Sequence, residues 1–229
     1  MLNRVTGLGL TGTAGDAELD EIDAFFRLHG VRYAVALSPF APTEIGGRLQ
    51  ARGFEYGYAW AKFRRGVEDP EPVPTELRVE AVTDGVLFGA VVTAAYEMPA
   101  TGAAWFASLP EREGWHCFVA FDGDEPAGAG ALFVRGSVGW LGVAGTAPEH
   151  RRKGAQNAIM ATRIRRGREL GVTTLTTETG ELVEDRPSNS YRNILRTGFE
   201  LRYVRPNLVS PDRPAATGPV DASPRPTSR

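Results

Sequence analysis

The stretch TAPEHRRKGAQNAIM, residues 146–160, gives the strongest indication of fold. Three basic residues, 151–153, directly precede Gly154, and the pattern that follows predicts a helix. Cations oppose the partly positive N-terminal end of a helix, so this order is unfavourable unless an anion binds there. Unpaired amides at the helix start and a glycine that permits close approach suit a phosphate or pyrophosphate. A solvated basic turn is the alternative.

The stretch fits neither of the two common phosphate-binding fingerprints. No Gly-Lys-Ser/Thr follows, as a Walker loop requires, and no GxGxxG opens the helix, as in a Rossmann fold. The elements around it are predicted from hydrophobic periodicity and turn residues. In order they are a strand at 75–82, an Ala-rich helical region at 84–109 broken near Pro99 and Gly102, three strands within 115–146, a helix at 154–170, a strand at 172–180, a helix at 188–198 and a strand at 199–209.

The first 74 residues follow a similar alternation. The predicted elements are a strand at 3–10, a helix at 17–29, a strand at 31–39, a weaker helix at 42–53 and an aromatic strand at 54–63. The segment GVEDPEPVP, 66–74, holds three prolines and three acids, which predicts a linker. Residues 210–229 are rich in proline and poor in large apolar residues, which predicts a disordered tail.

Two segments together resemble the GNAT acyltransferase superfamily. RRKGAQ, 151–156, is similar to the family's pyrophosphate loop, Gln/Arg-x-x-Gly-x-Gly/Ala after a strand. Arg151 and Gly154 fill the first two fixed positions, but the third, a glycine or alanine in the pattern, is Gln156 here. SNSYRNILRTGF, 188–199, is similar to the helix ending in Gly-Phe that closes the same fold. The resemblance covers 75–209 and implies an α/β (α+β) fold with a mixed central sheet flanked by helices.

The resemblance also implies acetyl-CoA, or another acyl-CoA, as the co-substrate, bound in a cleft where two central strands splay apart. Close approach to the strand edge suits glycine. The residues that the resemblance assigns to cofactor binding are Ala144, Gly145 and Thr146 on the strand edge, Arg151, Arg152, Lys153, Gly154, Ala155 and Gln156 in the loop, and Asn189 at the start of the closing helix.

Direct acyl transfer to an amine requires a neutral amine, a polarised thioester carbonyl and a stabilised thiolate. In many relatives a tyrosine four residues before the closing glycine donates the proton, but here that position is Ile194. Tyr191 shares the same helical face and is the candidate acid, with a core aromatic as the alternative. Asn193 is another candidate donor, and a reaction without any protein acid is also open.

The candidate base is Glu178, late in the strand VTTLTTETG, with Glu181 as the second choice and a solvated carboxylate as the alternative. His116 is expected to be a strand histidine and Cys117 a buried, inert thiol. The histidines and the cysteine show no metal-ligand spacing, so no metal is expected.

The first half of the sequence also contains a pattern that recurs in the second half. Gly-Phe-Glu-x-x-Tyr occurs at 53–58 and again at 198–203. The N-terminal half therefore resembles the C-terminal half of a GNAT fold, but it is acidic near residue 16, where the second copy is basic. We predict a degenerate half domain at 1–65, a linker at 66–74, an acyl-CoA-binding domain at 75–209 and a tail at 210–229, with one CoA per chain.

Composition argues against two other classes, nucleic-acid-binding proteins and membrane proteins. The net charge of −2 argues against a nucleic-acid partner, and no long apolar stretch predicts a membrane span. A single cysteine fits a reducing cytoplasm, and the excess of Arg over Lys suggests a GC-rich bacterial genome. The expected function is N-acyl transfer from acyl-CoA to an amine of a small molecule or peptide, and the alternative is a non-catalytic acyl-CoA-binding sensor or scaffold. Homodimerisation is left open.

Overall fold

The computed structural model describes residues 3–12, 14–72, 74–183 and 188–212. In this part of the chain the α-helices are Asp16–Leu28 (α1), Glu44–Ala51 (α2), Gly85–Ala95 (α3), Ala103–Ala107 (α4), Ala155–Glu169 (α5) and Asn189–Arg196 (α6). The strands are Arg4–Thr6 (β1), Ala34–Ala36 (β2), Glu55–Tyr56 (β3), Trp60–Arg65 (β4), Arg78–Val82 (β5), Trp115–Asp122 (β6), Glu125–Arg135 (β7), Val138–Thr146 (β8), Thr174–Gly180 (β9), Glu200–Arg205 (β10) and Asn207–Val209 (β11).

The predicted elements are present with two differences, both of which split one predicted strand into two. The aromatic segment 54–63 divides into β3 and β4, and 199–209 divides into β10 and β11. Gly57 ends β3 at a close approach, since a Cβ there would lie 2.8 Å from Val209 Cγ2. Pro206 separates β10 from β11 because it has no N–H for a ladder bond. The predicted tail lies outside the described residues from 213 onward.

Contacts divide the chain into two compact units. The smaller unit holds the residues up to Trp60 and those from Arg205 on, and the larger unit holds Ala61–Val204. The predicted domains, 1–65 and 75–209, have other boundaries. The difference arises because β4 joins the sheet of the larger unit, whereas β11 joins the sheet of the smaller one.

The smaller unit contains a four-stranded sheet in the order β1-β2-β11-β3. β1 and β2 are parallel, and β11 runs antiparallel to both of its neighbours. Leu208 at the centre of β11 is fully buried, in a cluster with side chains of α1, α2 and β2. This central strand therefore supplies part of the core of its unit.

The larger unit contains a seven-stranded mixed sheet in the order β10-β4-β9-β8-β7-β6-β5. β5 to β8 form an antiparallel series, and β8 pairs with β9 in parallel. Alternate residues of the strands face opposite sides, as strand geometry requires. One apolar cluster packs α3 against Cys117 and Val119, and another packs α5 and α6 against Phe118 and Leu132. The central strands are therefore covered on both faces.

The two sheets share a strand order. In each, a parallel pair joined through a helix, β1-β2 or β8-β9, is followed by a strand from the other end of the chain, β11 or β4. The strand that follows a Gly-Phe pair, β3 or β10, comes last. This shared order is what a repeated half domain would produce, and the degenerate copy itself stays a prediction.

Candidate active site

A groove borders the end of β8, past the point where β8 stops pairing with β9. The parallel register of the two strands runs from Val138 opposite Thr174 to Leu141 opposite Thr177. Beyond this point β8 continues to Thr146 and β9 to Gly180, but their residues are no longer paired with each other. The β8 edge that faced β9 is therefore open to a ligand, and residues 144–146 line the groove.

A bulge in β8 lies at the mouth of this opening. Gly142 and Gly145 pair with β7, but the register skips the two residues between them, which face Gly130 alone. Val143, within the bulge, has a left-handed φ of 48°. Bulges leave the extra residue outside the ladder and turn the strand. The backbone of Ala144 is therefore not committed to either neighbouring strand.

The basic stretch forms the turn between β8 and α5. After a 3₁₀ turn at Pro148–His150, Arg152 has a φ of 70° and Gly154 a φ of 87°. A Cβ at Gly154 would lie 3.1 Å from Cβ of Thr75, so glycine suits both the conformation and the space. Among the described residues, no side chain caps the N terminus of α5. Its first amides are therefore available to an anion.

Neighbouring polar groups anchor this loop. The hydroxyl of Thr75 donates to the Lys153 carbonyl oxygen over 2.8 Å. Asp122 Oδ2 pairs with the Lys153 ammonium group and lies 3.0 Å from His150 Nδ1. Lys153 first, and His150 second, hold the pKa of the Asp122 carboxyl below its usual range. Asp122 thus holds the Lys153 side chain at the groove, which both residues line.

Gln156, the departure from the family pattern, has a role that the sequence did not reveal. Its side chain reaches α6, where Asn193 Nδ2 donates to Oε1 over 2.7 Å. Gln156 Nε2 lies 3.3 Å from the Ser190 hydroxyl. The long side chain therefore points away from the loop and joins α5 to α6.

The groove has a volume of about 1170 Å³. This is somewhat above the roughly 300–1,000 Å³ of ordinary small-molecule sites, so an elongated ligand can fit. Its lining includes every residue predicted to bind the cofactor, namely Ala144, Gly145, Thr146, Arg151, Arg152, Lys153, Gly154, Ala155, Gln156 and Asn189. The structure therefore brings the predicted cofactor residues to one surface.

The two predicted catalytic side chains lie elsewhere, outside the lining of this groove. The Glu178 carboxylate on β9 pairs with the Lys62 ammonium group on β4. Tyr191 packs edge-on against Phe63, with ring centroids 5.0 Å apart, as the core-aromatic alternative requires. Ile194 is buried in the same core cluster. Neither Glu178 nor Tyr191 is among the residues that line the groove, and their catalytic roles stay predictions.

The reason why Tyr191 faces inward is local. Ser188 caps α6, and its hydroxyl accepts a hydrogen bond from the Tyr191 amide over 3.1 Å. The cap fixes the start of the helix and hence the face on which each side chain lies. Asn193, the other candidate donor, lines the groove.

Tyr96 is among the groove residues that the sequence did not reveal. Tyr96 follows α3 and lies in the groove lining, although nothing in the sequence around it forms a motif. The only signal was its position just before the predicted break at Pro99. The next residue, Glu97, pairs with Arg151 over 2.5 Å, which brings the end of α3 to the basic loop.

The remaining reactive side chains fit their structural predictions. Burial raises the pKa of the Cys117 thiol to about 12, which keeps the thiol protonated and unreactive. Burial also lowers the pKa of His116 on the same strand.

Within the described ranges, no cluster of three or more acidic, histidine or cysteine side chains is arranged to hold a metal ion. The helices in this part of the chain are too short or too polar to span a bilayer.

Known proteins provide the comparison. Residues 81–186 match the model of the acetyltransferase (GNAT) family. A GCN5-related N-acetyltransferase from Sphaerobacter thermophilus superposes with a TM-score of 0.70 at 15% identity, over 93% of this chain and 74% of that one. The corresponding protein from Kribbella flavida gives 0.62 at 19%, over 84% and 74%.

A third solved structure is a tandem GNAT protein from the clavulanic acid biosynthesis pathway. It gives a TM-score of 0.65 at 15% identity, over 92% of this chain and 73% of that one. At these identities the likeness shows the fold alone. No curated protein matches the sequence with significance.

Proposed function

We propose, on the premise that residues 81–186 form a domain of the acetyltransferase (GNAT) family, that the protein is an N-acyltransferase. It transfers an acetyl or other acyl group from acyl-CoA to an amine of a small molecule or peptide by direct attack. The observation that carries the proposal is the groove, which joins an uncapped helix N terminus to the free edge of a bulged strand.

Each part of the groove suits one part of acyl-CoA. The amides from residue 151 to 156 and the basic side chains would hold the pyrophosphate. The edge at Ala144, Gly145 and Thr146 would pair with the amides of the pantetheine arm. The Ala144 N–H would then be a donor to the thioester oxygen, where negative charge develops when the amine attacks.

A non-catalytic acyl-CoA-binding module is the second candidate. Two observations favour it: Ile194 occupies the position of the usual tyrosine, and Glu178 is engaged by Lys62. The exposed basic loop is common to both candidates, so only turnover separates them.

The test is thiol release from acetyl-CoA with a panel of amines that includes hydroxylamine, a small nucleophile that needs no dedicated pocket. Calorimetry with acetyl-CoA runs in parallel. Binding with turnover above the uncatalysed rate supports the enzyme, and binding without turnover supports the module. If neither acetyl-CoA nor CoA binds, both candidates fail.

The side chain of Tyr191 provides a first prediction. We expect Tyr191→Phe to keep at least about a tenth of the wild-type rate, because the ring packs on Phe63 and the phenol does not reach the groove. A general acid contributes about 10²–10⁴-fold. Steady-state rates measured with the best amine check this, and a hundredfold loss with unchanged folding would make Tyr191 the acid.

The acidic start of α1 provides a second prediction, that the chain binds about one equivalent of acetyl-CoA. Asp16 pairs with Arg48 and Arg52, and the Arg52 guanidinium, as the largest effect, holds the pKa of that carboxyl below its usual range. Glu18 accepts from the Gly15 amide over 2.9 Å. The two arginines and the Gly15 amide are thus already engaged by acids of the same chain, which compete with a pyrophosphate for them. Calorimetric titration that saturates at two equivalents of similar affinity would contradict the prediction.

The cellular setting rests on sequence alone. A cytoplasmic location in a bacterium, and homodimerisation as an open alternative, stay predictions. The acceptor amine also remains to be found by the panel above.

A further inference from the structure

The bulge in β8 holds one residue in a conformation that its side chain disfavours. Val143 has a φ of 48°, in the left-handed region, and its side chain packs against the apolar cluster of α3. For a β-branched residue a positive φ is an outlier, because the side chain crowds the backbone. Such strain persists only where the surrounding groups fix the backbone, and it is common beside active sites. Neighbouring groups must therefore hold this residue in place.

A buried arginine binds the carbonyl groups next to the bulge. Arg163 on α5 is 1% exposed. Its Nη1 donates to the carbonyl oxygen of Ala131 on β7 over 3.0 Å and to that of Gly142 on β8 over 3.2 Å. Ala131 and Gly142 lie opposite each other and are the last pair before the register shifts. One nitrogen atom thus ties the two strands together at the point where their ladder is interrupted.

The facing strand leaves room for this guanidinium group. Gly130 is the β7 residue that lies opposite the bulge. A Cβ there would lie 3.1 Å from Arg163 Cζ and 2.6 Å from Ile159 Cγ2, so a larger residue would push α5 away from the sheet. The absence of a side chain at position 130 is therefore what lets the arginine reach both carbonyl groups.

The arginine is buried without an acidic partner. In the described part of the chain its nitrogens bond to three backbone carbonyl groups and to the sulfur of Met160, and to no carboxylate. Burial lowers the pKa of Arg163 to about 10, so the side chain remains a cation at neutral pH. An unpaired buried charge is costly, and an apolar residue of similar volume fills an ordinary core position at lower cost. This cost indicates a role beyond packing.

We infer that Arg163 is a positioning residue, which holds Val143 in its left-handed conformation and thereby sets the course of the β8 edge at 144–146, where that edge lines the groove. The inference rests on the proposed function, in which this edge binds the co-substrate. Without the guanidinium group, the two carbonyl groups lose their shared donor, and β8 can relax to the extended conformation that suits valine. The edge is then no longer directed at the ligand.

The ligand-free protein tests the first step of this inference. Arg163→Met removes the donors and keeps a long side chain in the same space. With selectively labelled valine, NMR should show the backbone ¹³C and ¹⁵N shifts of Val143 moving toward the values of an extended residue. Val86, which is 79% exposed on α3, should keep its shifts. Unchanged shifts of Val143 in folded Arg163→Met would overturn the inference.

A second substitution separates positioning from packing. Glycine adopts a positive φ without strain, so in Val143→Gly the bulge should no longer depend on Arg163. By calorimetry, the affinity for acetyl-CoA should fall at least about tenfold in Arg163→Met and return to within about threefold of the wild type in Arg163→Met/Val143→Gly. If Arg163→Met does not fold, the double variant should fold again for the same reason. A loss that Val143→Gly does not restore would show that Arg163 only fills the core, against the inference.

A matched control and the wild type keep the two proposals distinct. Arg165→Met removes an exposed guanidinium group from the same helix and should leave both the Val143 shifts and the affinity unchanged. Wild-type protein that fails to bind acetyl-CoA refutes the proposed function, and the inference falls with it. Weaker binding in Arg163→Met with unchanged Val143 shifts refutes the inference alone, because the effect would then come from the charge and not from the bulge.

Discussion

Acetyl-CoA should bind at least about tenfold more weakly when Gly154→Pro and Arg151→Glu are combined, a loss of about 1.4 kcal/mol. Proline fixes φ near −65°, whereas Gly154 has a φ of 87°, so the loop cannot keep its conformation. Arg151→Glu adds a negative charge beside Glu97, where a pyrophosphate would bind. Calorimetry on the folded variant measures the change in affinity.

Two further variants make this result specific to the loop. Arg151→Glu with Arg152→Glu leaves Gly154 in place, and it should weaken binding even if the proline variant folds poorly. Arg166→Glu reverses one charge at the opposite end of α5, outside the groove, and should leave the affinity within about twofold. An affinity that is unchanged in both loop variants would refute the assignment of the loop to the pyrophosphate.

A larger loss, in stability, is expected from Leu208→Asp. Leu208 is fully buried at the centre of β11, where it lies opposite Val35 and Tyr56. A carboxylate there has no cation to pair with in its apolar cluster, which contains Val35 and Leu49. We expect a cost of about 4 kcal/mol or more, a large share of the roughly 5–15 kcal/mol that stabilises a typical domain.

Urea denaturation followed by circular dichroism measures this cost. Leu208→Ala, which leaves a cavity without a buried charge, should cost about 2–5 kcal/mol. Leu201→Asp on β10 is the control, because Leu201 exposes 42% of its surface and should tolerate the change. Equal denaturation midpoints for Leu208→Asp and Leu201→Asp would show that β11 does not stabilise its sheet.

Local signals predicted most of the fold and the turn before α5. Residues 151–154 combine positive charge with a glycine, which suits the left-handed φ that the structure shows at Gly154, so the turn can be recognised from the local sequence. Ser188 caps α6 in the structure, and serine at a helix start is a signal that the local sequence carries. Such features depend only on residues that are close in sequence, so they can be read from one amino-acid sequence.

The surroundings of the predicted catalytic side chains could not be predicted in this way because they come from distant segments. Glu178 is engaged by Lys62, more than 110 residues earlier, once β4 lies beside β9. Tyr96 reaches the groove only because Gly145, some 50 residues later, leaves room for its ring. No periodicity reports which strand will be the neighbour of β9, so the sequence could not show that Lys62 pairs with Glu178 or that Tyr96 lines the groove.

The position of β11 has a consequence for how the chain is made. A ribosome releases β1, β2 and β3 first, but the strand that joins β2 to β3 pairs with residues more than 150 positions away. Until residue 209 has emerged, the nascent N-terminal segment keeps open strand edges that can pair with other chains. The sheet of the smaller unit can therefore be completed only after residue 209 has been translated, and pairing over such separations is slow. A protein truncated at residue 205 should accordingly aggregate during synthesis or depend on chaperones.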